Sequence, residues 1–140
     1  MVVLDTDHLS ELDRGSPAGA RLQARLLERR QEPAATIISA EEQFRGWLAQ
    51  IHQEVDPHRQ IAAYARLQRR IEFYAAWTVL PWDAAAADIF ARLRAQRLRV
   101  GTMDLKIGSI ALAHGGMVLT GNQQDFQRIP DLRVEDWLRE

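Results

Sequence analysis

Residues 1–12 read Met1-Val2-Val3-Leu4-Asp5-Thr6-Asp7-His8-Leu9-Ser10-Glu11-Leu12. Met1–Leu4 is a short apolar run of the kind that forms a strand buried on both faces. The run stops at an acid, and the segment from Asp7 to Leu12 reads as the opening of a helix. A buried strand running into a helix with an acid at the junction suggests an α/β chain whose chemistry sits beyond the carboxyl ends of parallel strands.

The same unit recurs along the chain. Pro17–Arg30 predicts a helix with Ala20, Leu22, Leu26 and Leu27 inward and Pro17 in its first turn. Ala35–Ile38 reads as a second strand, after which Ser39 caps a helix reaching about Gln53, with Phe44, Trp47, Leu48 and Ile51 on one face. Pro57–Ala76 carries Ile61, Tyr64, Leu67, Ile71 and Tyr74 at helical spacing, which predicts a core-facing stripe. Thr78–Leu80 is a third strand, stopped by Pro81. Asp83 caps a helix to about Leu98, and Gly101-Thr102 opens another to His114, ended by Gly115-Gly116. Met117–Thr120 is a fourth strand and Leu132–Val134 a fifth, at the edge. Strands alternating with helices predict a central parallel sheet of four to five strands, flanked by helices on both faces, over one domain spanning residues 1–140.

Composition narrows the chemistry. The chain is 46% hydrophobic and 26% charged, which suits a globular core with an ordinary surface. It has no cysteine, so a metal must be held by oxygen or histidine, and oxygen ligands favour Mg²⁺ or Mn²⁺. No stretch approaches the roughly 18 apolar residues of a membrane span. The N-terminus lacks the basic lead and long apolar run of a signal peptide, so a cytoplasmic protein is expected. Net charge is −1, which excludes a uniformly basic nucleic-acid binder, although Arg66, Arg69 and Arg70 cluster, as do Arg92, Arg94, Arg97 and Arg99. These clusters read as solvated helix faces or as local phosphate-contacting surfaces.

Four acids fall just after strands or in the first turn of the helix that follows, Glu42 in the first turn after the second strand: Asp5, Glu42, Asp104 and Asp125. Each has a structural reading. Asp5 can bond the turn that follows its strand, and Ser39-x-x-Glu42 matches a capping box. Asp104 complements a helix dipole, and Asp125 can be merely solvated. All four nonetheless fall toward one end of the sheet, and clustered like charges imply a bound cation. Carboxylates holding one or two divalent ions suit phosphodiester hydrolysis. The histidines His8, His52, His58 and His114 show no metal-ligand spacing, and His8 reads as a surface or packing residue near the acids.

Four motifs carry a resemblance to a known family. They are Val3-Leu4-Asp5-Thr6-Asp7; Ile38-Ser39 through Glu42 to Gly46; Gly101-Thr102-Met103-Asp104-Leu105-Lys106-Ile107, with small Gly108, Ser109 and Ala111 following; and Leu119-Thr120-Gly121-Asn122-Gln123-Gln124-Asp125-Phe126. Together with the tail from Ile129 to Trp137, they resemble the PIN-domain toxins of VapBC toxin–antitoxin systems over essentially the whole chain. The resemblance implies a PIN fold and a metal-dependent endoribonuclease acting on cellular RNA, with transfer or ribosomal RNA the expected substrate. It also implies a VapB-like antitoxin that neutralises the enzyme, and a homodimer or toxin–antitoxin hetero-oligomer. Asp5, Glu42 and Asp104 match the family's metal-site acids, and Thr6 and Thr120 match its supporting hydroxyls. Asp7 stands where the family often has Asn. Asn122 stands where many members have a fourth acid, and Asp125 is the alternative source of that charge. Trp47, Phe73, Tyr74 and Trp77 read as interface or core aromatics.

Other readings compete. Asp5-Thr6-Asp7 mimics the D-x-D start of haloacid-dehalogenase phosphatases, but the only lysine, Lys106, lies two residues after Asp104. A receiver domain lacks its late lysine. A PIN fold that binds RNA or a partner without cleaving is the remaining alternative, kept open by Asn122.

Overall fold

The computed structural model describes residues 1–139. Its five strands form one parallel sheet in the order β3-β2-β1-β4-β5. The central strand β1 (Val2–Leu4) pairs with β2 (Pro33–Thr36) on one side and β4 (Met117–Leu119) on the other. β3 (Val79–Leu80) and β5 (Val134–Glu135) are the edges. The chain leaves β1 toward β2 and later returns to the opposite side at β4. The crevice between β1 and β4 is thus the topological switch point, where open α/β sheets place their sites.

Strand alternation divides the core in two. Val3 and Val118 face one side, packing with Phe90, Leu105, Ile107, Ile110, Phe126 and Ile129. That layer is built from α5 (Ala84–Ala95), α6 (Thr102–Ala113) and the short α7 (Gln123–Phe126). Val2, Leu4, Met117 and Leu119 face the other side, packing with Leu9, Leu22, Leu26, Tyr74 and Trp137. There α1 (Thr6–Arg14) and α2 (Pro17–Glu28) form the layer with the hairpin of α3 (Ile37–Gln53) and α4 (Gln60–Ala75). Both faces of β1 are fully buried, which explains its unbroken apolar run. Gly19 permits the tight crossing of α1 on α2, since a Cβ there would run into the Glu11 carbonyl oxygen.

Three expectations shift. The second strand ends at Thr36, and Ile37 and Ile38 already lie in α3. Thr36, not Ser39, is the cap: its hydroxyl accepts the Ser39 N–H at 3.1 Å. Glu42 therefore lies in the second turn and belongs to no capping box. The fifth strand begins at Val134, because residues through Asp131, at φ +66°, and Leu132 are taken up by a turn closed on Ile129. The α4 stripe is helical but not buried. Ile61, Tyr64 and Ile71 are 64, 54 and 52% exposed, and only Tyr74 enters the core. The cause is that α4 packs chiefly on α3 and stands away from the sheet. Phe73 and Trp77 pack partly against the core beside Tyr74. No helix among the described residues is long and apolar enough to cross a membrane.

Candidate active site

Asp5 ends β1 and serves as the N-cap of α1, its Oδ1 accepting the Thr6 N–H at 2.8 Å. Its other oxygen accepts the hydroxyl of Thr120 at 2.8 Å. Thr120 is fully buried at the end of β4 and also accepts the Asn122 N–H at 3.0 Å. A single hydroxyl thus orients the carboxylate from β1 and shapes the loop after β4. Burial raises the pKa of Asp5 despite these two stabilising bonds, and the charge of Asp7 adds to the rise.

Asp104 enters from the first turn of α6, and the Asn122 side-chain amide donates to it at 3.2 Å. The same amide nitrogen lies 3.1 Å from Asp125, whose second oxygen is paired with Arg128 at 3.2 Å. Asn122 therefore stands between two acids as a donor, and Arg128 offsets the charge of Asp125. Burial, then the charges of Asp5 and Asp125, push the Asp104 carboxyl up to about 6. Glu42, from α3, is raised by burial and then by Asp5 and Asp104. Its Oε1 is buried and makes no hydrogen bond among the described residues.

Asp5, Glu42 and Asp104 thus lie within electrostatic reach of one another, on three elements that meet at the switch point. Asp125 joins through Asp104. Repulsion among these carboxylates and the orphaned oxygen of Glu42 are what a bound cation relieves. Among the described residues no group of three acids or histidines is drawn together as a ready-made metal cage. Mg²⁺ suits such an open arrangement, because it keeps several waters and needs only one or two protein carboxylates. The donor set fits a hard divalent ion.

The remaining expected residues have distinct places. Asp7 is exposed and is tied to the loop after β4, bonding the Gly121 N–H at 2.6 Å and both His8 nitrogen donors. Burial pushes Asp7 up, but these bonds outweigh it and hold its carboxyl below the usual range. Gly121 makes the approach possible, since a Cβ there would lie 2.6 Å from the Asp7 carboxylate. Thr6 contributes its backbone, while its buried hydroxyl makes no hydrogen bond among the described residues. His8 is fully buried. Its Nδ1 faces Asp7 at 2.9 Å, while its Nε2 accepts the Trp137 N–H at 3.1 Å and lies 3.5 Å from Asp136. It packs and bridges, and has no access to substrate. Sequence reasoning missed this bridge and the Arg128 pair. Arg128, at i+3 from Asp125, carried a readable signal. The His8 contact, to a backbone amide 129 residues away, carried none.

Residues 2–132 match the PIN domain family. The chain belongs to the PIN-domain family. As a PIN domain it is 35% identical over 85 residues to the tRNA(fMet)-specific endonuclease VapC of Shigella flexneri, a match covering 58% of this chain and 60% of that protein. It is 39% identical over 62 residues to Ribonuclease VapC1 of Rickettsia felis, covering 41% of this chain and 46% of the relative. The matched region thus spans under two thirds of each relative's length. Its fold is that of VapBC2 from Rickettsia felis, solved bound to a promoter DNA fragment. That structure has a TM-score of 0.70 at 21% identity, covering 98% of this chain and 99% of the other.

Proposed function

We propose that this PIN domain is a metal-dependent endoribonuclease acting as the toxin of a type II toxin–antitoxin system. The observation that carries the reading is the meeting of Asp5, Glu42 and Asp104 at the β1–β4 switch point. Their carboxyls are raised by burial and by each other, as suits a site completed by a cation. The endonuclease and ribonuclease relatives support the reaction class.

In this reading Asp5, Glu42 and Asp104 hold at least one Mg²⁺ or Mn²⁺. When bound, the ion lowers the pKa of a water and neutralises charge developing on the phosphate. The chain's own residues set the geometry. Thr120 orients the carboxylate of Asp5, and Asn122 bridges Asp104 and Asp125 by donating to both. Asp125 is the fourth acid, tempered by Arg128, and the amide of Asn122 replaces the acid many family members carry. Asp7 ties the start of α1 to the loop that presents Thr120 and Asn122.

The substrate is cellular RNA, with transfer RNA favoured by the tRNA(fMet)-specific relative and ribosomal RNA the other expectation of the resemblance. The site is cytoplasmic, the domain spans residues 1–140, and a VapB-like antitoxin restrains it. The exposed apolar stripe of Ile61, Tyr64 and Ile71 offers surface for the antitoxin or for a homodimer. One observation favours a second reading, a PIN module that binds RNA without cleaving it: the neutral Asn122 removes a charge from the site. Incubation with purified transfer RNA and ribosomal RNA, in Mg²⁺, Mn²⁺ or EDTA, separates the two. Discrete fragments bearing 3′-hydroxyl ends, formed only with metal, support the nuclease. Intact RNA with every ion, from folded protein, supports the binding module.

A further inference from the structure

A second polar site lies beside the acid cluster. Asp13, Arg14, Trp47, Arg66, Arg69 and Arg70 line a cleft of about 410 Å³ between the end of α1 and the α3–α4 hairpin. Four arginines face one aspartate there. Arg70 is paired with that aspartate, Nη2 to Asp13 at 2.8 Å, while its Nη1 is buried and makes no hydrogen bond among the described residues. Arg14 is paired with Glu11 at 2.8 Å. Arg66 and Arg69 are exposed and form no ion pair among the described residues; Arg66 lies over the half-buried indole of Trp47, 5.7 Å from its centre. The cleft therefore presents the uncompensated guanidinium groups of Arg66 and Arg69 beside a half-buried indole that Arg66 overlies.

The cleft and the acid cluster are neighbours. Tyr74 lies one turn after Arg70 on α4 and donates its hydroxyl to Gln43 at 2.8 Å, while Arg70 and Glu42 act in opposite senses on its buried phenol. Arg70 on the cleft side and Glu42 on the acid side thus act on one phenol. Gln43 follows Glu42 on α3, and Trp47 lies one turn further along the same face as Gln43.

We propose that this cleft is a subsite for a single-stranded segment of the RNA substrate, with Arg66 and Arg69 on its phosphates and a base against Trp47; the assignment rests on the nuclease reading of the acid cluster. Three physical points favour RNA over an acidic protein segment. Guanidinium groups match phosphate oxygens in a bidentate fork. A half-buried indole overlain by a mobile arginine is a platform on which an unpaired base can stack in the arginine's place, and it serves no purpose for a carboxylate. A polyanion must also approach four acids on a chain of net charge −1, which requires positive charge placed locally.

The test uses the full chain carrying Asp104→Asn, so that RNA stays intact, with a fluorescein-labelled single-stranded RNA of mixed sequence as the probe. Anisotropy is read across a salt series, and a poly-glutamate peptide is the second ligand. Arg66→Ala/Arg69→Ala should weaken RNA binding by about tenfold or more and lower the salt slope by roughly 1.4, the value for two lost phosphate contacts on a single strand. Trp47→Ala should weaken it while Trp47→Phe retains most of it. Arg92→Ala/Arg94→Ala, an equal change of charge on α5, should have less than about a twofold effect. Equal losses from the two arginine pairs would overturn the subsite, as would loss of poly-glutamate binding with RNA binding unchanged, which would assign the cleft to a protein partner. In the background with Asp104 restored, Arg66→Ala/Arg69→Ala should raise KM more than it lowers kcat. Arginine-dependent binding without any cleavage would leave the cleft standing and remove the nuclease reading; cleavage indifferent to these arginines would do the reverse.

Discussion

Thr120 donates its hydroxyl hydrogen to Asp5 across 2.8 Å, joining the ends of β4 and β1 through residues 115 apart in sequence. Both side chains are held by backbone amides as well, so the orientation of Asp5 is determined from two directions.

Removing that hydroxyl should loosen the site and the fold together. Thr120→Val removes the donor to the half-buried Asp5 carboxylate and the acceptor of the Asn122 N–H, and costs about 1–3 kcal/mol of stability. Cleavage should fall roughly 10–100-fold, as for loss of a group that orients a metal ligand. Thr120→Ser should retain most of both. Thermal melts beside initial cleavage rates check this, and an unaffected Val variant would show that Asp5 needs no such support.

The raised carboxyl of Asp104 has a definite sign. Its folded value, about 6, lies above the ordinary 3.8, so the metal-free folded state holds the proton more tightly than the unfolded chain. The stability of metal-free protein attributable to this group is therefore present at low pH and lost as pH rises from about 4 through about 6. Asp104→Asn should abolish that part of the decline, making the variant more stable than wild type in EDTA at neutral pH and nearly equal to it near pH 4. Denaturant melts of both proteins across this range decide the matter; parallel curves would mean that Asp104 is not strained.

Gly19 should tolerate no side chain. A Cβ there meets the backbone carbonyl of Glu11, which cannot move without displacing α1 and with it the cap residue Asp5. Gly19→Ala should cost about 3 kcal/mol, at the upper end for overpacking, and Gly46→Ala, in open space on α3, should stabilise slightly. Equal melting temperatures for the two would contradict the tight crossing.

The revised start of α3 is also testable. Thr36→Ala removes the hydroxyl that caps Ser39 and should cost about 1 kcal/mol. Glu42→Gln should cost nothing, because Glu42 reaches no cap amide, and relief from Asp5 and Asp104 should stabilise the metal-free protein. A capping box would give the opposite order in equilibrium unfolding.

The placement of these residues also shows how far a sequence reading reaches. Asp5 and Asp104 were legible because strand ends and first helical turns are local features, marked by an apolar run that stops and by Gly101-Thr102. The parallel sheet followed from the same alternation. Glu42 was found in the right neighbourhood for a mistaken local reason, since Ile37 and Ile38 continue the apolar pattern of β2 although the backbone has already turned at Thr36. The α4 stripe shows the limit of periodicity: spacing gives the helix, but whether anything covers it depends on how the hairpin stands against the sheet. Asn122 reads as a missing acid in one dimension. Only its contacts with Asp104 and Asp125 reveal a donor between them.

The deciding measurement is cleavage of total cellular RNA by the wild-type chain and by Asp5→Asn/Asp104→Asn, each in Mn²⁺ or Mg²⁺ and in EDTA, with circular dichroism to confirm folding. The acid cluster predicts discrete fragments from wild type that require the metal and vanish in the double variant. Fragments that persist in EDTA, or in the folded double variant, would place the chemistry elsewhere in the molecule.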